Sequence, residues 1–176
     1  MNRLLLLIAL FLSFYQLSVA QCNTADIPNN CDNPVENFTD FNGSGFAPMP
    51  AVGQLCSDRW AITGFSDGDL AFGDTNTNGD YARGDTHGGV STGGIYAYDD
   101  GNGNQALWIQ PIGSDFTPGT LTYQICNNSG AALQNIEIQY DILVLNDQNR
   151  SSSFYFSFSI DDTFYNDFSA FDFTSD

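Results

Sequence analysis

The amino-acid sequence predicts an all-β protein, specifically a jelly-roll-like two-sheet antiparallel β-sandwich. Three observations carry this. Helix formers are scarce outside the first twenty residues, while Gly, Asn, Asp, Ser, Thr and aromatic residues abound, a mixture that favours turns and strands. Two segments alternate apolar and polar residues with period two, as half-buried strands do. Short apolar runs are separated at close intervals by Gly-, Asn- and Pro-rich turns, the spacing expected of a sandwich.

The chain begins with a segment that is not part of this fold. "MNRLLLLIALFLSFYQLSVA" has a basic start at Arg3, an apolar run from Leu4 to Phe14, and small residues at Ser18 and Ala20. Residues 1–20 thus read as a secretory signal peptide, cleaved before Gln21. The apolar run falls short of the ~20 residues that span a bilayer, and no later segment is apolar enough to do so. The expected location is secreted or cell-surface. Removing residues 1–20 from 176 leaves 156, enough for one domain with a real core.

Residues 21–37 read as an irregular lead-in. Cys22, Cys31, Cys56 and Cys126 all lie in the exported part, where disulfides are the default. Three pairings exist, of which Cys22–Cys31 as a local staple and Cys56–Cys126 as a long cross-link are favoured. Residues 38–176 form the sandwich domain. Its short strands are "RWAITGF", "GGIYAY", "ALWIQP" and "TLTYQIC", with turns at "DDGNGN", "SDFTPG" and "NNSG". Its longest strands are "NIEIQYDILVL", with Ile136, Ile138, Tyr140, Ile142 and Val144 on one face, and "SFYFSFSI", with Phe154, Phe156, Phe158 and Ile160 alternating with Tyr155, Ser157 and Ser159. These two are expected at the core. The C-terminal "TFYNDFSAFDFTSD" ends without a closing strand, which would leave an open sheet edge, so the domain is expected to be incomplete at that end.

These blocks, together with "WAITGFSDGDLAFG", "GDYARGD", "STGGIYAY", "ALWIQPIGSDFTPGTLTYQICNNSG" and "IEIQYDILVLNDQNRSSSFYFSFSIDDTFY", resemble a β-sandwich module near the N-terminus of secreted multidomain bacterial proteins of the Bacteroidota type. The resemblance runs from about Val35 to Asp176. It implies a fold and a location, and supplies no catalytic residues. In longer relatives further strands and then nuclease, lamin-tail or sorting domains follow, which implies a chain that continues beyond Asp176.

Charge narrows the partners. Nineteen Asp and two Glu face only four Arg and no Lys, giving a net charge of −17. Such a chain repels phosphate backbones, so nucleic acid is excluded as a partner, and cations are attracted. "DTNTNGDYARGD" matches the calcium-loop spacing D-x-[DN]-x-[DN]-G, with Asp74, Asn76, Asn78 and Asp85 as candidate ligands and Asp80 offering a carbonyl. A calcium ion held there is one reading, and a solvated polar turn is the other. Arg83-Gly84-Asp85 spells an adhesion tripeptide, but an arginine tying the loop to nearby Asp carboxylates is the simpler account.

Catalysis has little support. The one histidine, His87, sits among glycines, and Ser/His/Asp hydrolysis would have to rest on it alone. The expected role is non-catalytic: adhesion, or capture of a glycan or another surface protein. Tyr96 and Tyr98, sharing one strand face beside Asp99 and Asp100, are the candidate stacking platform, while Trp60 and Trp108 read as core. The alternative is an accessory part of a secreted hydrolase, nuclease or glycosidase, whose catalytic domain lies elsewhere.

Overall fold

The computed structural model describes residues 25–27, 35–145 and 151–175. The chain divides into two units, Met1–Ala132 and Leu133–Asp176, where the sequence reading has one domain from residue 38 onward. Among the described residues the protein is all-β, and no helix is long and apolar enough to cross a membrane.

The first unit holds strands β1 (Ala25–Ile27), β2 (Phe41–Ala47), β3 (Gly53–Cys56), β4 (Trp60–Thr63), β5 (Asp85–Thr86), β6 (Gly94–Asp99), β7 (Gln105–Gln110), β8 (Thr120–Tyr123) and β9 (Ile125–Asn127), plus a 3-10 turn at Gly79–Tyr81. Four small sheets result: β1 parallel to β9, β2 parallel to β3, β4 antiparallel to β8, and β5-β6-β7. All four short strands expected from sequence are present. Their apolar alternation explains the packing, since Trp60 and Ile62 of β4 are buried whereas Thr63 is exposed. Across the ladder Trp60 faces Tyr123 and Ile62 faces Leu121, so β8 brings its own apolar residues to the same side.

Ten buried residues form the core: Phe41, Phe46, Leu55, Trp60, Ile62, Phe65, Leu70, Tyr81, Ile95 and Ala97. Tyr81 is its pivot. Its ring meets Phe46 and Phe65 edge-on, at 6.1 and 5.2 Å between centroids, contacts worth about 0.5–1.5 kcal/mol each beyond burial. Its hydroxyl donates to the Gly68 carbonyl at 2.7 Å, so no polar atom is stranded by burying the ring. Burial, followed by the nearby Asp69, Asp80 and Asp67 carboxylates, pushes this phenol well above its ordinary range. Gly43 in β2, at φ +76°, is required because any Cβ there would collide with the Gly84 backbone.

The second unit contains β10 (Ser153–Phe154), β11 (Ser157–Phe158), β12 (Asn166–Asp167) and β13 (Phe173–Thr174), with a 3-10 turn at Ser169–Phe171 before β13. β10 pairs with β13 and β11 with β12, both antiparallel. Tyr140 stacks on Phe156 at 5.9 Å, and Phe171 lies 5.2 Å from Phe156.

Three expectations are corrected. Residues Ile136 to Val144 form no strand, and Ile136 is 62% exposed. Alternation produces a strand only where a neighbour supplies backbone hydrogen bonds, and among the described residues none involves the backbone of 133–145. "SFYFSFSI" likewise gives two two-residue strands instead of one long one, with Phe154 and Phe158 exposed and Ile160 at 92%. The main core is therefore built from the first unit's residues. Finally, Cys56 is disulfide-bonded whereas Cys126 is a free thiol, so these two are not linked. Cys126 sits in β9 at the position paired with Asp26 of β1, and its sulfur lies 3.2 Å from Asn128 Oδ1. Cys22 and Cys31 lie outside the described residues.

Candidate functional site

The loop proposed for calcium is built as a structural hub. Asp80 is 1% exposed. Its Oδ2 accepts from the Ser66 hydroxyl at 3.0 Å and the Asp67 amide at 3.1 Å, and its Oδ1 takes Arg83 Nη2 at 2.5 Å. Arg83 Nε also donates to the Gly93 carbonyl at 2.9 Å. Asp67 reciprocates by accepting the Asp80 amide at 2.8 Å. Gly79, at φ +56°, leaves room for that Asp67 carboxylate, which a Cβ would strike. The glycine of the calcium pattern thus serves a side chain of the protein itself.

The remaining candidate ligands are spread over separate tasks. Asp74 Oδ2 accepts the Ala71 amide at 3.1 Å, closing its own turn. Asn76 bridges Phe46 through two backbone hydrogen bonds of 2.8 and 3.0 Å, which sews the loop to β2. Asn78 is exposed and its carbonyl accepts the Tyr81 amide. Asp85 is exposed in β5, paired with Ala97 of β6. Among the described residues no three His, Cys, Asp or Glu side chains form a metal-holding group. Arg83 does what the simpler reading of Arg83-Gly84-Asp85 requires, and Gly84 is pinned through hydrogen bonds with Gly43 and Ala97.

The sheet β5-β6-β7 has two unlike faces. Ile95 and Ala97 of β6 lie opposite Ile109 and Leu107 of β7, and all four belong to the core face. Period two then turns Tyr96, Tyr98 and Trp108 to the other face, Tyr96 opposite Trp108 and Tyr98 opposite Ala106. Tyr96 is 7% exposed and its hydroxyl donates to the Thr92 carbonyl at 3.0 Å. It is thus a support and not a contact surface, which corrects half of the platform expected from sequence. Tyr98 and Trp108 are both half-buried, with ring centroids 5.3 Å apart and planes tilted by 56°.

The end of this sheet is stiffened by its hairpin. Asp100 Oδ1 accepts the Asn102 amide at 2.8 Å and the Asn104 amide at 3.1 Å, and Oδ2 takes Asn104 Nδ2 at 2.6 Å. Donation from the Asn104 side chain, then from the Asn102 amide, holds this carboxyl below the usual range. His87 Nδ1 lies 2.5 Å from the Asp99 carbonyl, which can only accept, so Nδ1 carries the proton. The imidazole fastens β5 to β6 as a hydrogen-bonded loop residue.

A shallow cleft of about 210 Å³ lies elsewhere in the first unit, lined in part by Glu36, Asp40, Gln54 and Arg59. Burial raises the Glu36 carboxyl, against the lowering pull of Arg59, whose Nη1 is 3.8 Å away. This pair ties the segment ahead of β2 to the turn ahead of β4.

Trp108, read from sequence as core, lies on the face of β6 and β7 turned away from it, and Asp100, named there only as a neighbour of Tyr98, orders the hairpin. The signal for Trp108 was present: the midpoint between "GGIYAY" and "ALWIQP" is Asn102, and a hairpin folded there places Trp108 opposite Tyr96. No protein-family model, curated protein or solved structure matches the chain.

Proposed function

We propose that this chain is an exported, non-catalytic β-sandwich module that binds a glycan through the Tyr98–Trp108 face. The observation that carries this reading is the half-exposed ring pair, 5.3 Å apart, on the side of β6 and β7 away from the core. Two rings tilted to each other present an apolar surface suited to the C–H faces of sugar rings. Tyr96, opposite Trp108 on the same face and fixed by its bond to the Thr92 carbonyl, and the Asp100 hairpin at the end of the sheet restrict their motion, and a preorganised site loses less entropy on binding. Export is supported by the basic and apolar pattern of residues 1–20.

The electrostatics restrict the ligand. This end of the sheet carries Asp100 on the Tyr98 side by period two and Asp85 and Asp99 on the Ala97 side, while the first unit's Arg59 and Arg83 are paired with Glu36 and Asp80. Neutral glycans fit such a face, and uronate or sulfated ones are repelled. The test is affinity electrophoresis of the secreted chain through gels containing neutral or polyuronate polysaccharides, beside Trp108→Ala and Tyr98→Ala. Retardation by a neutral polysaccharide that both variants lose is expected. Equal retardation of the variants would sink the site, and equal retention by polyuronate would sink the charge argument.

A further inference from the structure

We propose that residues 136–145, which form no strand by themselves, become one by receiving an extended segment of another polypeptide, one alternating aliphatic residues with Lys or Arg. The proposal is independent of the glycan face. It starts from a mismatch between pattern and placement. Ile136, Ile138, Tyr140, Ile142 and Val144 alternate with Glu137, Gln139, Asp141 and Leu143, and β-branched residues at most of the apolar positions favour an extended backbone. Yet among the described residues no backbone hydrogen bond involves 133–145, and Ile136, Ile138, Ile142 and Val144 are all exposed.

One residue of the segment is anchored. Tyr140 donates its hydroxyl to the Phe171 carbonyl at 2.9 Å and stacks on Phe156. It holds the middle of the segment against the unit's aromatic cluster, leaving the amides and carbonyls on both sides open for a ladder. Extended peptides are commonly bound by such open edges, with backbone hydrogen bonds giving affinity and alternate side chains giving choice of partner.

Charge selects the occupant. A second copy pairing antiparallel about Gln139 would set Glu137 directly against Asp141, and like charges directly opposite destabilise a ladder. The whole chain has 21 acidic residues against four basic ones, so self-association works against its own field. A strand with Lys or Arg on its polar face reverses both terms, meeting Glu137 and Asp141 while its aliphatic face covers Ile138 and Ile142.

Hydrogen–deuterium exchange on the full secreted chain tests this, with a synthetic peptide alternating Val and Lys and a matched Val and Glu peptide as probes. At ten times its dissociation constant the Val/Lys peptide is expected to slow exchange across 136–145 roughly tenfold, with no effect of Val/Glu. Glu137→Lys combined with Asp141→Lys alters only exposed side chains and is expected to exchange the two preferences. Four results would overturn the proposal: no protection by Val/Lys, equal protection by both peptides, an unchanged preference in the charge-reversed variant, or protection without peptide that grows with protein concentration. The last would make a second copy the occupant.

Discussion

Replacing Asp80 by Ala removes the acceptor for three donors at once: the Ser66 hydroxyl, the Asp67 amide and Arg83 Nη2. Breaking a buried ion pair by deleting one partner typically costs about 3–5 kcal/mol, because the other charge stays desolvated. The Arg83 side chain is 30% exposed and can recover some hydration, which places the expected loss at the lower end, about 3 kcal/mol. For a chain of this size that lowers Tm by roughly 6–12 °C. Both tryptophans, Trp60 and Trp108, lie in the first unit, so urea unfolding followed by indole fluorescence reports on the unit that contains Asp80. A double-mutant cycle with Arg83→Ala is expected to return a coupling of about 2 kcal/mol, within the range for contacting residues. A loss below about 1 kcal/mol for Asp80→Ala, the scale of an exposed pair, would refute the hub as the organiser of this loop.

Three further outcomes follow from the same hydrogen bonds and charges. Because burial raises the Glu36 carboxyl above 4.5, the folded state holds that proton more tightly than the unfolded chain; its stabilising contribution is full below 4.5 and is lost as pH rises through the folded value. Glu36→Gln should therefore flatten the stability curve between pH 4.5 and neutrality, and an unchanged slope in urea titrations would contradict this. Asp115 is buried and accepts the Ser66 amide at 2.9 Å across 49 residues, so Asp115→Ala should cost about 1–3 kcal/mol; its carboxyl is depressed, chiefly by the Ser66 side chain, so the part of that contribution due to its charge is full above pH 3.8 and is lost as pH falls through the folded value below it. Calcium saturating a true site tenfold would raise Tm by roughly 3–6 °C, whereas a loop in which, among the described residues, no three acidic side chains group to hold a metal predicts no shift on adding millimolar calcium or EDTA.

The first unit was legible where alternation coincided with a turn signal. "RWAITGF" and "GGIYAY" gave β4 and β6 because Trp60, Ile62, Ile95 and Ala97 needed only nearby partners in β8 and β7. The segment from Ile136 to Val144 carried the strongest alternation of all and formed no strand, since a periodic pattern states what a strand would bury and not whether a neighbour exists to pair with it. The loop from Asp74 to Asp85 was ambiguous for a different reason. Asx turns and buried ion pairs use the same short carboxylates, amides and glycines as a calcium loop, and only placement distinguishes Asp67 and Arg83 from a cation as the partner of Asp80. Tyr96 and Tyr98 were correctly assigned to one face, but the hydroxyl bond to Thr92 that buries Tyr96 has no sequence signature.

The chain's two tryptophans offer the most direct test of the proposed site, because each indole N–H gives its own resonance in a heteronuclear NMR spectrum. Trp60 is a core residue and Trp108 belongs to the outer ring pair. Titration with a neutral oligosaccharide that the chain retains on a gel should shift the Trp108 signal in a saturable way and leave Trp60 in place. A shift of Trp60 alone, or binding with both indole signals unmoved, would contradict the assignment of ligand capture to the Tyr98–Trp108 face.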